Sequence, residues 1–224
     1  MSSDYLGHRK RIRARYEAGG FAGWPDYEIV EFILFYALPR KDTKILAKKL
    51  IKQFKSIKGL IDADSDDIRM VAGVGQNVLN IISVIKDVAE LYLKQRTFDN
   101  KSVKSAADVC DYLRISMQPE KDELLKVLYL NASNKILGDD IISRGTVDRA
   151  PVYPRKVVES AVKRKAVNVI LAHNHPSGSL RPSEEDRIMT EKLKGVLSLV
   201  DVTVLDHIII GLDGYFSFSE NGLI

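Results

Sequence analysis

The period of the hydrophobic pattern changes near the middle of the chain, and this switch limits the fold more than any other feature of the sequence. Up to about residue 98, apolar side chains recur every three to four positions, the spacing of amphipathic helices. DYEIVEFILFYAL puts Ile29, Val30, Phe32, Ile33 and Tyr36 on one stripe. TKILAKKLIKQF repeats the pattern after Pro39 and Asp42 break the chain. A glycine turn then leads into a long helical run whose expected buried face is Val78, Ile81, Ile82, Ile85, Val88 and Leu91. TFDNKSVKSAADV is polar and aperiodic, so the seam falls at 98–103. Beyond it, short runs rich in Val, Ile, Leu, Tyr and Phe alternate with helical segments. KVLYLNA, ILGDDIISRG, AVNVILA, TVLDHIIIG and YFSFSE read as strands. YPRKVVESAVKRKA and SEEDRIMTEKLKGVLSLV read as helices, with Pro154 tolerated near the start of the first. Ser105 and Asp108 have the spacing of a capping box for a helix running to about Met117. Asp213-Gly214 marks a tight turn into the last strand. The expected architecture is α+β overall: an all-α domain over 1–98, then an α/β domain over 103–224 with a central mixed sheet.

Several functional classes are excluded or disfavoured by composition. No window approaches the length of apolar chain that spans a bilayer, and no signal-peptide core opens the sequence, so the expected location is the cytoplasm with no membrane association. Cys110 is the one cysteine, which excludes an internal disulfide and any zinc site built on several thiolates of one chain. A metal here requires histidine and carboxylate. The net charge of +4 is uneven: residues 1–100 hold 17 Lys and Arg against 13 Asp and Glu, and the remainder holds 17 against 17. The excess positive charge therefore lies in the helical half, a weak pointer to a polyanionic partner.

ILAHNHPSGSLRPSEEDRIMT carries the chemistry. Side chains at i and i+2 of an extended chain share a face, so His173 and His175 present two imidazoles in parallel. Pro176 and Gly178 turn the chain, Ser183 reads as a helix N-cap, and Asp186 falls in the first helical turn, from which it can face the histidines. Two histidines and a carboxylate leave a fourth position open, the arrangement of catalytic rather than structural zinc; iron or manganese could use the same donors. Ser183 and Asp186 also make an ordinary capping box, and the two roles are compatible. His207 alternates with apolar residues and reads as a structural histidine, and Cys110 as core rather than nucleophile.

The string H-x-H-P-x-G, seven residues, then D, with S-x-x-D inside it, resembles the JAMM motif of MPN-domain metallopeptidases. HNHPSG, with VLDHIIIG downstream and GTVD at Gly145–Asp148, resembles the RadC branch of that family, and the likeness extends over nearly the whole chain. It implies an MPN, cytidine-deaminase-like fold and one zinc ion with His173, His175 and Asp186 as ligands and water as the fourth. It further implies a glutamate on or before the first strand that hydrogen-bonds this water. Glu123, fifty residues ahead of His173, is the expected general base, with Glu159 as its competitor. Ser183 would donate to the oxyanion. The expected reaction is hydrolysis of a protein or peptide amide or isopeptide bond, and MPN-like domains often pair, which makes a homodimer one expected assembly.

Gly73 and Gly75, in Val71-Ala72-Gly73-Val74-Gly75-Gln76, resemble the turn of a helix-hairpin-helix module, where backbone N–H groups approach a phosphate at a helix N-terminus. Lys44, Lys48, Lys49, Lys52, Lys55 and Lys58, with Arg9, Lys10, Arg11, Arg13 and Arg15, are near in sequence, whereas Asp62, Asp64, Asp66 and Asp67 would repel phosphate if they faced it. Two alternatives to a peptidase stay open: a DNA-binding, repair-associated protein with a structural metal domain, and a metal-dependent nuclease.

Overall fold

The computed structural model describes residues 3–99, 102–145 and 153–224, side chains of residues 3–6 excepted. The chain divides into two compact units, Met1–Val88 and Ala89–Ile224. Among the described residues, no helix is long and apolar enough to cross a membrane.

The first unit is helical: α1 (Ser3–Gly19), α2 (Asp26–Ala37), α3 (Lys44–Phe54), α4 (Ile57–Asp62), α5 (Ser65–Arg69) and the start of α6 (Gln76–Phe98). The face expected for α2 differs from the one observed. Nine of the twelve residues of this helix are apolar or aromatic, so it buries two faces. Val30, Leu34 and Ala37 enter a core with α3, α4 and α6, while Phe32 and Phe35 join Ile12 and Trp24 in an aromatic cluster. Tyr36, assigned to the buried stripe above, is 64% exposed. The expected face of α6 holds only for its first turns. Val78, Leu79 and Ile82 are buried, but Val88 and Leu91 are 59% and 53% exposed, because the core that covers the helix start ends there.

Arg9 is another departure. It is buried, and its guanidinium donates to the carbonyls of Leu38 (2.6 Å), Pro39 (2.9 Å) and Lys41 (2.6 Å). These groups lie at and just past the end of α2, where helical carbonyls lack internal partners and a cation complements the helix dipole. Arg9 is thus a structural clamp, held away from the role of a surface cation.

The second unit is built on one mixed sheet of order β2-β1-β3-β4-β5, comprising β1 (Leu124–Leu130), β2 (Ile136–Arg144), β3 (Asn168–Asn174), β4 (Thr203–Ile210) and β5 (Tyr215–Ser217). β1 runs antiparallel to β2 and β3, β3 parallel to β4, and β4 antiparallel to β5. Helix α7 (Ala107–Met117) covers one face, and α8 (Pro154–Arg164) and α9 (Glu184–Ser198) cover the other. Both faces of β1 are covered, so all seven of its residues are buried instead of alternating. Leu124, Leu128 and Leu130 pack towards α7, and Leu125, Val127 and Tyr129 towards α8 and α9. Pro154 is in the first turn of α8, as its sequence position predicts. Only half of the capping box expected at α7 forms. Asp108 accepts from the N–H groups of Lys104 (2.8 Å) and Ser105 (3.0 Å), but the helix starts one residue later, with Ala106 at the N-cap.

The parallel β3–α9–β4 crossover creates the functional end of the sheet. β3 stops at Asn174, and Gly178 takes φ +82°, a left-handed conformation that a side chain would strain. A Cβ there would also sit 3.0 Å from the Leu212 side chain. This turn brings the chain back towards α9, whose start faces the end of β3.

Candidate metal centre

His173 lies on β3, with Leu125 of β1 on one side and Ile209 of β4 on the other. His175 follows the strand end, and its N–H donates to the carbonyl of Ile210 (2.9 Å), which continues the β3–β4 alignment. Ser183 caps α9 and Asp186 completes a full capping box. The Asp186 N–H donates to Ser183 Oγ (3.1 Å), and the Ser183 N–H donates to Asp186 Oδ2 (2.8 Å). Ser183 Oγ also donates to Asp186 Oδ2 (2.6 Å). The cap therefore fixes the carboxylate as well as the helix start.

His173, His175 and Asp186 are brought together, with one donor atom from each lying within 4.8 Å of the others. His173 Nε2 is 2.8 Å from His175 Nε2 and 3.1 Å from Asp186 Oδ1. His173 and Asp186 are each 1% exposed. The donor chemistry fits a metal cation. Asp186 Oδ2 accepts from the cap and lies 3.5 Å from His175 Nε2, while Oδ1 is turned to His173. His175 Nδ1 donates to the carbonyl of Ser179 (2.9 Å), which leaves the lone pair of a neutral ring on Nε2. Imidazole nitrogen and carboxylate oxygen are donors that zinc accepts.

The electrostatics of the site also favour positive charge. The hydrogen bond to Asp186 raises the pKa of His175 above its ordinary value against the opposing effect of burial, with help from the Ser179 carbonyl and the charges of Asp186 and Glu123. Burial alone would raise the pKa of Asp186, but close contact with the His173 and His175 rings and the hydrogen bond from Ser183 hold its carboxyl well below the usual range. The field that stabilises a proton on His175 also favours a metal cation, which must displace that proton to bind.

Glu123 directly precedes β1, at the end of the strand that carries Leu125 beside His173. It is half-buried, and its charge acts on His175. Asn174, which sequence reasoning passed over, secures this position from the neighbouring strand. Its Oδ1 accepts from the Leu124 N–H (2.7 Å) and its Nδ2 donates to the Asp122 carbonyl (3.1 Å), so it grips the backbone on both sides of Glu123. Glu159 is on the exposed face of α8, where Arg155 donates to it (2.7 Å). Cys110 is buried against α7's core neighbours, and burial pushes its thiol up to about 12, which makes it inert as a nucleophile.

His207 is 0% exposed and stacks on Phe218 at 4.6 Å. Its Nε2 lies 2.7 Å from His173 Nδ1, and its Nδ1 lies 2.6 Å from Thr190 Oγ1 on α9. Burial, together with the neighbouring His173, holds its pKa well below the ordinary value. Thr190 was not singled out by the sequence. Its place one helical turn after Asp186 is the signal that could have found it.

In the helical unit, Gly73 has φ +107°, whereas Gly75 has no left-handed requirement and precedes α6 directly. The first turn of α6 has no acidic residue. Of the GTVD string, Thr146, Val147 and Asp148 lie outside the described residues.

The sequence profile of the RadC-like JAB domain matches residues 103–223. A UPF0758 protein of Fusobacterium nucleatum is 36% identical over 228 residues, covering 99% of this chain and 98% of its own length. A UPF0758 protein of Ruegeria pomeroyi is 35% identical over 224 residues, with all of both chains covered. Another, from Rhodobacter capsulatus, is 36% identical over 213 residues, covering 95% of this chain and 100% of its own length. The domain match falls on the unit that carries the two imidazoles and the capped carboxylate, and the relatives extend the likeness through the helical half: this chain belongs to the RadC-like JAB family.

Proposed function

We propose that the protein is a zinc-dependent hydrolase of amide bonds, a peptidase or isopeptidase. The observation that carries this reading is the convergence of His173 Nε2, His175 Nε2 and the Asp186 carboxylate at the end of β3, with the charge of Glu123 acting on His175. Three protein ligands leave a position open for water or substrate. Zinc, when bound, supplies Lewis acidity for polarising a carbonyl and lowering the pKa of water. Glu123 takes the proton of the attacking water and returns it to the leaving amine. Asn174 holds Glu123 in place through the backbone on either side of it. Ser183 donates a hydrogen bond to the developing oxyanion once its hydroxyl turns from Asp186. The test is hydrolysis of a mixed set of peptide and lysine-linked isopeptide reporters. Cleavage should disappear after dialysis against a chelator and return on addition of zinc. Cleavage that is equal before and after chelation would contradict the reading.

A second proposal concerns the helical unit: sequence-independent contact between DNA phosphates and the turn before α6. It is favoured by the left-handed Gly73, which opens the turn, and by an α6 start free of acidic side chains. Gly75 offers a clean test because a Cβ there meets open space. Gly75→Asp supplies a preferred N-cap residue, so the helix should gain a few tenths of a kcal/mol. The same carboxylate would repel phosphate, so affinity for a short duplex at low salt should fall about tenfold or more. Unchanged affinity in a variant that melts no lower than wild type would exclude this turn as the contact.

A further inference from the structure

The metal-facing nitrogen of His173 can serve as a ligand only if the ring carries its hydrogen on the other nitrogen, and three side-chain contacts decide where that hydrogen goes. Thr190 Oγ1 is 2.5 Å from the Asp186 carbonyl oxygen, which can only accept, so the hydroxyl hydrogen points there. The same hydroxyl is 2.6 Å from His207 Nδ1 and, with its hydrogen committed, can only accept from that nitrogen. His207 therefore carries its hydrogen on Nδ1. As a neutral ring it presents a lone pair on Nε2, which lies 2.7 Å from His173 Nδ1. His173 Nδ1 must then be the donor. The opposite polarity would need a charged imidazolium at a position that is 0% exposed, with no carboxylate oxygen among its hydrogen-bond partners.

We infer that Thr190 and His207 form a hydrogen-bond chain that fixes His173 as the Nδ1–H tautomer, so that its Nε2 lone pair faces Asp186 and His175. Both residues are positioning residues, since neither contributes an atom to the converging group. The chain ties the first turns of α9 to β3 through β4: the backbone of Asp186 orients Thr190, Thr190 orients His207, and His207 orients His173. One ligand's main chain thus sets the protonation pattern of another ligand's ring. The second histidine is set independently by the Ser179 carbonyl. The inference deepens the zinc-dependent reading, and it rests on that reading only for the effect on metal affinity. The hydrogen-bond polarity can be read without any metal.

Selective ¹⁵N labelling of histidine suits a chain with four histidines. Long-range ¹⁵N–¹H spectra of the metal-free protein should show His173 and His207 protonated on Nδ1 and bare on Nε2. Thr190→Val removes the hydroxyl while keeping the shape. His207 should then move its hydrogen to Nε2 and donate to His173 Nδ1, driving the His173 hydrogen to Nε2; Thr190→Ser should restore the wild-type spectrum. Zinc affinity should fall about 10–100-fold in Thr190→Val and recover in Thr190→Ser. His207→Gln, whose amide oxygen can accept from His173, should keep the His173 tautomer, whereas His207→Phe should lose it. A wild-type His173 bare on Nδ1, or a tautomer unmoved by Thr190→Val and His207→Phe, would overturn the inference. A wild-type protein that takes up no zinc but shows the expected tautomers would refute the hydrolase reading and leave the chain of hydrogen bonds standing.

Discussion

Glu123→Gln is expected to lower amide hydrolysis by about 10²–10⁴-fold while leaving the zinc content unchanged. That loss corresponds to about 3–5 kcal/mol of transition-state stabilisation. Glutamine keeps the size and polarity of the side chain but cannot take up a proton at neutral pH. The backbone grip of Asn174 on Asp122 and Leu124 does not involve the Glu123 side chain, so the local structure should persist. The three converging donors belong to other residues, so metal uptake should persist as well. Glu159→Gln is the matched control: it removes only an exposed pair with Arg155 and should leave the rate unaltered. Equal rates for wild type and Glu123→Gln would remove Glu123 from the mechanism. Loss of zinc together with rate would make it a ligand instead.

Asp186→Ala should lose two things at once. The cation loses its carboxylate ligand, and α9 loses half of its capping box, worth about 1 kcal/mol. The larger part of the effect should appear only when zinc is present. At free zinc a thousandfold above its dissociation constant, the bound ion would add about 4 kcal/mol to the stability of the native state. Wild-type melting should therefore rise strongly with added zinc, and that of Asp186→Ala should not. Asp186→Asn separates the effects: its side-chain oxygen can still accept from the Ser183 N–H, but the ligand charge is gone. It should melt close to metal-free wild type and respond only weakly to zinc. A zinc-dependent rise in Asp186→Ala equal to that of wild type would place the metal elsewhere.

The parts of the site that could be read from the sequence are those set by local geometry. His173 and His175 share a side because they are two residues apart in extended chain, and Ser183 and Asp186 meet because a capping box brings an N-cap to its third helical residue. Thr190 and His207 could not be paired in this way. They meet across α9 and β4, and His207 lies opposite Leu171 in the parallel register, a contact that no periodicity encodes. Asn174 was hidden for a related reason: its side chain points away from its histidine neighbours, to a strand fifty residues earlier. The alternation between the helical and the mixed half was legible because it depends on the period alone. The buried faces of α2 and α6 were less so. In α2 nine of twelve residues are apolar or aromatic, and two cores compete for it. In α6 the apolar stripe continues past Ile82 beyond the core that covers the helix start. Arg9 shows a further limit, because a basic residue suited to phosphate is taken up by the open carbonyls at the end of α2.

Anomalous scattering at the zinc absorption edge, from crystals grown with stoichiometric zinc, locates the ion itself. One strong peak is expected, bonded to His173 Nε2, His175 Nε2 and Asp186 Oδ1, with its fourth side open. A peak elsewhere, or none among these three side chains at full zinc loading, would contradict a zinc site at the end of β3.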